Sequence, residues 1–346
     1  MRRPIRRGSS DRRLQFESLE GRAMMAGNVT AAVVNGVLKI TGDSDSNGIQ
    51  IQQSGAGYKI TGNSVTVNNT TITTTKINGS TSSQTFRATS IQMDMGSGDD
   101  SVSMTNVAAL TVNGTMGSGS DTVTMSGGVE TFGLTFDMGT GSDTFSGTNV
   151  TVKNTKASAT GQVAITAGTG NDSISMTNLR TQFPVIFLGD DGKDTISLSS
   201  AQLTSSLAID TGDANDTVTI SNSSFKSLSL DLGDGDNTAT LTTVKTTNFA
   251  SISSGDGKDT ITTTSLTVGT TLAIDTAGGT DNVAVAGTKA KEIDIDMGDG
   301  DYNQLQLSGS QANIATFTTS SLIGNALKIT NCKFLSKTIS GFQIIS

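Results

Sequence analysis

Asp100, Asp121, Asp143, Asp172, Asp194, Asp216, Asp259 and Asp281 each end a short glycine-rich turn, most often G-x-G-x-D, and Asn237 and Tyr302 stand in the same column. The ten positions are separated by 21, 22, 29, 22, 22, 21, 22, 22 and 21 residues. Glycine admits backbone angles closed to other residues, so its carbonyl can point into the turn, and the aspartate sets a carboxylate beside it. Donors that are all oxygen suit a hard cation, calcium above all. Asp99, Asp190, Asp191, Asp213, Asp234, Asp236, Asp256, Asp299 and Asp301 crowd the same turns. If successive turns stack about 4.8 Å apart, neighbouring carboxylates repel by about 1 kcal/mol in water and roughly 3 to 4 at an effective dielectric of 20. Such a column calls for counterions between its rungs.

The elements that position these turns are legible from the period. A fixed repeat of this length marks a solenoid, one coil of chain per repeat. After each turn apolar residues alternate with Ser or Thr, as in Val102/Met104, Val123/Met125, Ile174/Met176, Ile196/Leu198, Val218/Ile220 and Ala239/Leu241, the signature of a strand buried on one face. A second alternating run closes the repeat, as in Leu228 to Asp231 and Ile293 to Asp296. The spacing predicts an all-β, right-handed parallel β-helix or β-roll, because parallel crossovers are right-handed almost without exception. Only 4% of residues are aromatic and there are two prolines, which suits a narrow core and uninterrupted ladders. The strict alternation argues against a disordered Ser/Thr/Gly-rich chain.

The expected organisation has four parts: a basic, disordered export or processing segment at 1–27, degenerate N-terminal capping coils at 28–93, the repeat solenoid at 94–308, and C-terminal capping coils at 309–346. Segment 1–27 carries a net charge of +4 and the remainder −12. A basic arm can bind nucleic acid or anionic lipid, but an unstructured tail is the plainer expectation. No apolar run of signal or membrane length follows it. Within the 29-residue repeat, about seven extra residues near Val152 to Gly161, with Lys153 and Lys156, are expected to protrude as a surface loop. Cys332 has no second cysteine to pair with and reads as a small buried hydrophobe.

The repeats resemble the hemolysin-type calcium-binding family, the RTX repeats, whose nonapeptide is G-G-x-G-x-D-x-U-x with U a large apolar residue. The resemblance runs from Gly96 to about Ser308. It implies calcium held between successive coils by the aspartate column and by the carbonyls around Gly96 and Gly98, Gly117 and Gly119, Gly139 and Gly141, Gly168 and Gly170, and their later equivalents. One turn per coil matches, so one calcium ladder is expected. Ala214 and Ala277 replace glycines, and Asn237 and Tyr302 replace the acid. Coils with those changes are expected to bind weakly unless Asp236 and Asp301 substitute by a one-residue shift. Residues 16–25, FESLEGRAMM, resemble the planctomycete-type LEPR-XLL segment, which implies export.

Three function classes follow. The first is an extracellular or cell-surface calcium-binding module with a structural or adhesive role, its partners a surface polysaccharide or protein and not nucleic acid, with no transmembrane segment. The second is a polysaccharide lyase or hydrolase. Against it stand the absence of histidine, the restriction of arginine outside the leader to Arg87 and Arg180, and the presence of only Tyr58 and Tyr302 beside the phenylalanines; a lysine or a carboxylate pair could still serve. The third is an ice- or surface-binding face built on Thr-x-Thr rows such as Thr122/Thr124, Thr217/Thr219, Thr238/Thr240 and Thr260/Thr262.

Overall fold

A computed structural model describes residues 27–64, 66–67, 70–71, 74–153, 161–321 and 323–345. The basic segment up to residue 26, with its LEPR-XLL-like stretch, and positions 154–160 of the insertion, with Lys156, lie outside the described residues.

One coil shows how the repeat folds. Thr217–Ser221 is a strand, Asn222 and Ser223 turn a corner, Ser224–Phe225 forms a second, shorter strand, Lys226 and Ser227 turn again, and Leu228–Asp231 leads into the glycine-aspartate turn. Alternation sets the register within the strands: Val218, Ile220, Phe225, Leu228 and Leu230 are buried while Thr217, Thr219, Ser221, Ser224 and Ser229 are not, and the corner residues Ser223 and Ser227 are buried as well. The first corner needs a left-handed residue in every coil. Asn106, Asn149, Asn178 and Asn222 supply it at φ between 49° and 58°, the conformation asparagine tolerates best after glycine.

Each coil pairs in parallel with the next, so the molecule is an all-β solenoid of about 11 coils. Three sheets form its sides: a post-turn sheet of 15 strands, a pre-turn sheet of 15, and a short sheet of 7 between them. Among the described residues there is no helix, hence none long and apolar enough to cross a membrane. The core is a set of columns in which large and small residues compensate. Phe136 packs on Phe145 with ring centroids 5.2 Å apart, and room for it comes from Gly114, where an added Cβ would lie 2.4 Å from the Phe136 ring.

The ends depart from the coil in different ways. ITGDSDSNGIQI makes a true coil, its strands Val37–Thr41 and Gly48–Ser54 pairing in parallel with Ser90–Asp94 and Ser101–Thr105. Gly57–Asn63, expected as another coil, instead runs back antiparallel on Gly48–Ser54, and Asn28–Val34 runs antiparallel to Val37–Thr41. The physical reason is the pair of tight turns at Asn35-Gly36 and Gly55, which favour hairpins over crossovers. These hairpins flank the first coil's sheets. At the other end parallel coils continue to Gln343–Ile344. Leu335 and Ile344 are 86% and 69% exposed there, because no further strand pairs beyond theirs. Cys332 in this end is half-buried, not fully buried as expected, with its Sγ accepting the Ser310 N–H at 3.4 Å.

The register yields a direct test. Val218→Asp places an unpaired carboxylate in the core and is expected to destabilise by at least about 3 kcal/mol, whereas Thr217→Asn, on the outer face, stays within about 0.5 kcal/mol. Chemical denaturation of both variants reads the difference.

Candidate metal centre: a buried aspartate ladder

The aspartate column lies inside the turn corner and is almost wholly removed from solvent: the eight aspartates are between 0% and 4% exposed. Their burial follows from the backbone. The chain enters the post-turn strand at this residue, so its side chain points the same way as the core residues two and four positions later.

One oxygen of each carboxylate has a defined task. Asp121 Oδ1 accepts the backbone N–H of Asp100 at 2.7 Å, Asp143 that of Asp121 at 2.7 Å, Asp172 that of Asp143 at 2.6 Å, and Asp194 that of Asp172 at 2.8 Å. The series continues through Asp216, Asn237, Asp259 and Asp281. Asn47 enters at the top by donating its N–H to Asp100, and Asn303 and Asn325 extend the column below Asp281. Every coil is thus clipped to the next by a side chain reaching one rung along the axis.

The other oxygen has nothing. Oδ2 of Asp100, Asp121, Asp143, Asp172, Asp194, Asp216, Asp259 and Asp281 is buried without a hydrogen-bond partner. A buried, unpaired carboxylate oxygen is costly, so eight in one row call for a shared explanation. The asparagine rungs supply it. Asn237 Nδ2 donates to the Gly233 carbonyl at 3.0 Å, and Asn303 Nδ2 to the carbonyls of Met297 and Gly300 at 2.8 and 3.0 Å. In these coils the slot beside the side chain is lined by acceptors and is filled by a donor. An aspartate in the equivalent slot has none to offer unless it carries a proton or faces a cation.

Burial accordingly drives the carboxyl groups toward the protonated form. It pushes Asp100 up to about 8, Asp143 and Asp194 to about 7, and Asp121, Asp216 and Asp281 to about 6, from an ordinary 3.8. Asp172 and Asp259 move the same way for the same cause. The ladder N–H bonds work against this rise, and neighbouring carboxylates add to it. The residue five positions before the aspartate tunes the slot. It is apolar beside Asp100, Asp121 and Asp143 (Met95, Met116 and Met138) but a hydroxyl beside Asp216, Asp259 and Asp281 (Thr211, Ser254 and Thr276). Thr211 donates its proton to the Leu232 carbonyl at 3.0 Å, whereas Ser254 and Thr276 can turn theirs toward the carboxylate and offset part of the rise. Ser254 Oγ and Thr276 Oγ1 are also buried without a partner.

The glycines form two further columns, and their role is steric as well as conformational. The carbonyls of Gly96, Gly117 and Gly139 accept the N–H of Ser118, Thr140 and Thr169 in the next coil, so they are engaged in the stack. Gly168 continues this column, and an added Cβ there would lie 1.9 Å from the Gly139 oxygen. In the second column, Gly98, Gly119, Gly141 and Gly170, a Cβ on Gly141 would sit 1.8 Å from the Gly119 oxygen. Ala214 occupies this second column at φ 109°, a region that side-chain-bearing residues rarely enter.

The expected column therefore assembles, with one correction. Tyr302 is not its tenth member: it is 62% exposed at φ 61°, and Asn303 takes the buried place. The last turn holds one more residue than the others, which restores the 22-residue step from Asp281. Neither Asp236 nor Asp301 shifts into the column; Asp236 Oδ1 accepts the Lys258 N–H outside it, and Asp301 is held by the Ser321 hydroxyl. Asn47 and Asn325 carried no acid to announce them, though each stands directly before a strand, as the aspartates do. The slot hydroxyls Ser254 and Thr276 were equally unmarked in the sequence.

Among the described residues no three acidic or sulfur-bearing groups converge on a point. A cation in the ladder would draw on single carboxylates from successive coils, with carbonyls and hydroxyls making up the rest. Comparison with protein families, with characterised proteins and with solved structures returns no match.

Two outcomes follow. Ala214→Gly relieves a strained backbone and is expected to stabilise by about 1 kcal/mol, whereas Gly141→Ala destabilises by more than about 3 kcal/mol; melting curves separate them. A carboxyl whose folded pKa is raised contributes stability below its unfolded value and loses it as pH climbs through the folded value. The chelator-treated protein is therefore expected to melt progressively lower between pH 4 and pH 8, the window set by the ordinary 3.8 and the value of about 8 at Asp100.

Proposed function

We propose that the chain is an extracellular, calcium-binding structural or adhesive rod in which the ion occupies the aspartate ladder. The observation that carries this reading is the row of eight buried Oδ2 atoms without partners. Carboxylate, carbonyl and hydroxyl oxygens are the donors calcium takes, six to eight at a time. The aspartates, with Ser254 and Thr276 in the lower coils, are the side chains that would hold it. When bound, the ion supplies positive charge where the carboxylates would otherwise have to be protonated. The chain's own contribution is the stack itself, since each Oδ1 to N–H bond holds successive carboxylates at one coil spacing. An extracellular setting fits a narrow core without disulfides, because the ion can stand in for the staples that small secreted folds need.

At ten times the dissociation constant each independent site adds about 1.4 kcal/mol. Calorimetric titration of the metal-free protein at neutral pH is expected to show several calcium ions bound and a rise in melting temperature. Asp194→Asn, which puts a donor in the slot as Asn237 does, is expected to raise the melting temperature of the metal-free protein while lowering the calcium stoichiometry. Absence of binding heat together with an unchanged melting curve removes calcium from the reading and leaves a protonated structural ladder.

A second reading rests on one specific observation. The three outward positions in each of the eight post-turn strands from Ser101–Thr105 to Thr260–Thr264 hold only Ser and Thr. A charge-free hydroxyl face in register suits an ordered surface such as ice, and a thermal hysteresis measurement decides it.

A further inference from the structure

The solenoid separates its surface charge between opposite parts of the same cross-section. The three sheets form a triangle. The pre-turn and post-turn sheets meet at the glycine-aspartate corner, and the short sheet closes the side facing away from it.

Along the short side, the residues in register from Glu130 to Lys333 include Arg180, Lys245, Lys289 and Lys333. Glu130 is the one acid in that row, and Lys153 holds it at 2.7 Å. Lys226 and Lys291 project beside the row and are exposed. Two shallow hollows run end to end here, 270 Å³ beside Lys153 and Arg180 and 370 Å³ between Lys226 and Lys245, meeting at Thr204. The opposite corner is the reverse. Asp94, Asp137, Asp210, Asp231, Asp275 and Asp296 stand exposed at one position of the pre-turn strand, in a row without a cation. The turn tips add Asp213, Asp234 and Asp256 against Lys193 and Lys258.

We propose that the basic short side is a docking surface for the acidic corner of a second copy of this chain, so that rods associate side by side. Charge complementarity selects the partner, and the matched period strengthens the choice. Both rows are spaced by the same coil rise, about 4.8 Å, so two parallel rods aligned at one rung are aligned at all of them. The two surfaces differ and lie on opposite parts of the molecule. The contact is therefore heterologous and does not close on itself, which generates open ribbons. Ten rows span roughly 43 Å, and a strip about 10 Å wide buries about 430 Å² per partner, roughly half of the ~800 Å² typical of stable pairs. The single contact is weak and salt-sensitive, and each rod in a ribbon makes two.

Sedimentation velocity across a concentration series tests this, with circular dichroism confirming that each variant is folded. The wild-type chain is expected to form species that grow with concentration at low ionic strength and to return to monomer in about 0.5 M NaCl, where charges are screened within a few ångströms. Lys226→Glu, Lys245→Glu and Lys289→Glu together disable one surface. Asp210→Asn, Asp231→Asn and Asp275→Asn together weaken the other while keeping the acceptors for the N–H groups of Gly212, Gly233 and Ala277. Each triple variant alone is expected to stay monomeric, and their equimolar mixture to stop at a dimer, since each retains the surface the other lacks. A wild type that remains monomeric at low salt, association that survives both triple variants, or a mixture without dimer overturns the proposal. Monomeric wild type that binds a polyuronate such as alginate through the lysine surface assigns that surface to an acidic glycan instead. Running the series in saturating calcium and again in chelator keeps the result separate from calcium binding in the ladder.

Discussion

The hydrogen bond from a backbone N–H to the aspartate Oδ1 of the next coil is the interaction on which this molecule turns. It lies in a buried place and keeps nearly the same length, 2.6 to 2.9 Å, from Asn47 to Asn325. Because it reaches along the axis, it joins coils at the glycine-aspartate corner, where the sheets give way to the longest turn of the coil. Its cost is that the same carboxylate must be buried, and its second oxygen with it. The stack therefore carries a standing demand for a proton or a cation at each aspartate rung.

Asparagine would meet the ladder's structural need without that demand, and at Asn237, Asn303 and Asn325 it does; Asn47, at the top, fills its slot with Nδ2 but makes no bond through Oδ1. Asn237 and Asn303 make the same Oδ1 bond, accepting the N–H of Asp216 and Asp281, and satisfy the slot with their own amide. Aspartate at the remaining eight rungs leaves a slot that responds to pH and to ions, whereas asparagine leaves one that does not. Apolar Met95 and Met116 beside the upper rungs and hydroxyl-bearing Ser254 and Thr276 beside the lower ones make the two ends of the ladder chemically unequal.

The same repeat that builds the ladder also sorts charge on the outside. A solenoid gives every position in the coil its own stripe along the rod, so a modest bias at one position becomes a continuous charged row. Acids gather where the turn already needs aspartate, and lysines gather on the short side away from it. The net charge of −8 conceals this division.

The period, the alternation and the glycine spacing were enough to establish a parallel β-solenoid, because one coil per repeat leaves few other ways to bury a strand with one apolar face. Val218 and Ile220, or Met104 and Met125, could be assigned to the core from alternation alone. What the linear chain could not settle was how an aspartate in a turn is used. The Oδ1 clip and the glycine packed against the preceding coil's carbonyl arise between residues 21 or more positions apart, and it is that stacking which buries the lone Oδ2. The one-residue difference that puts Asn303 and not Tyr302 into the column is invisible until the stacked strands set the register. The hairpin return of Gly57–Asn63 was likewise decided by turn geometry, since its strand pattern matches a coil. Local pattern determined which residues face inward; contacts along the axis determined what the inward-facing charges had to do.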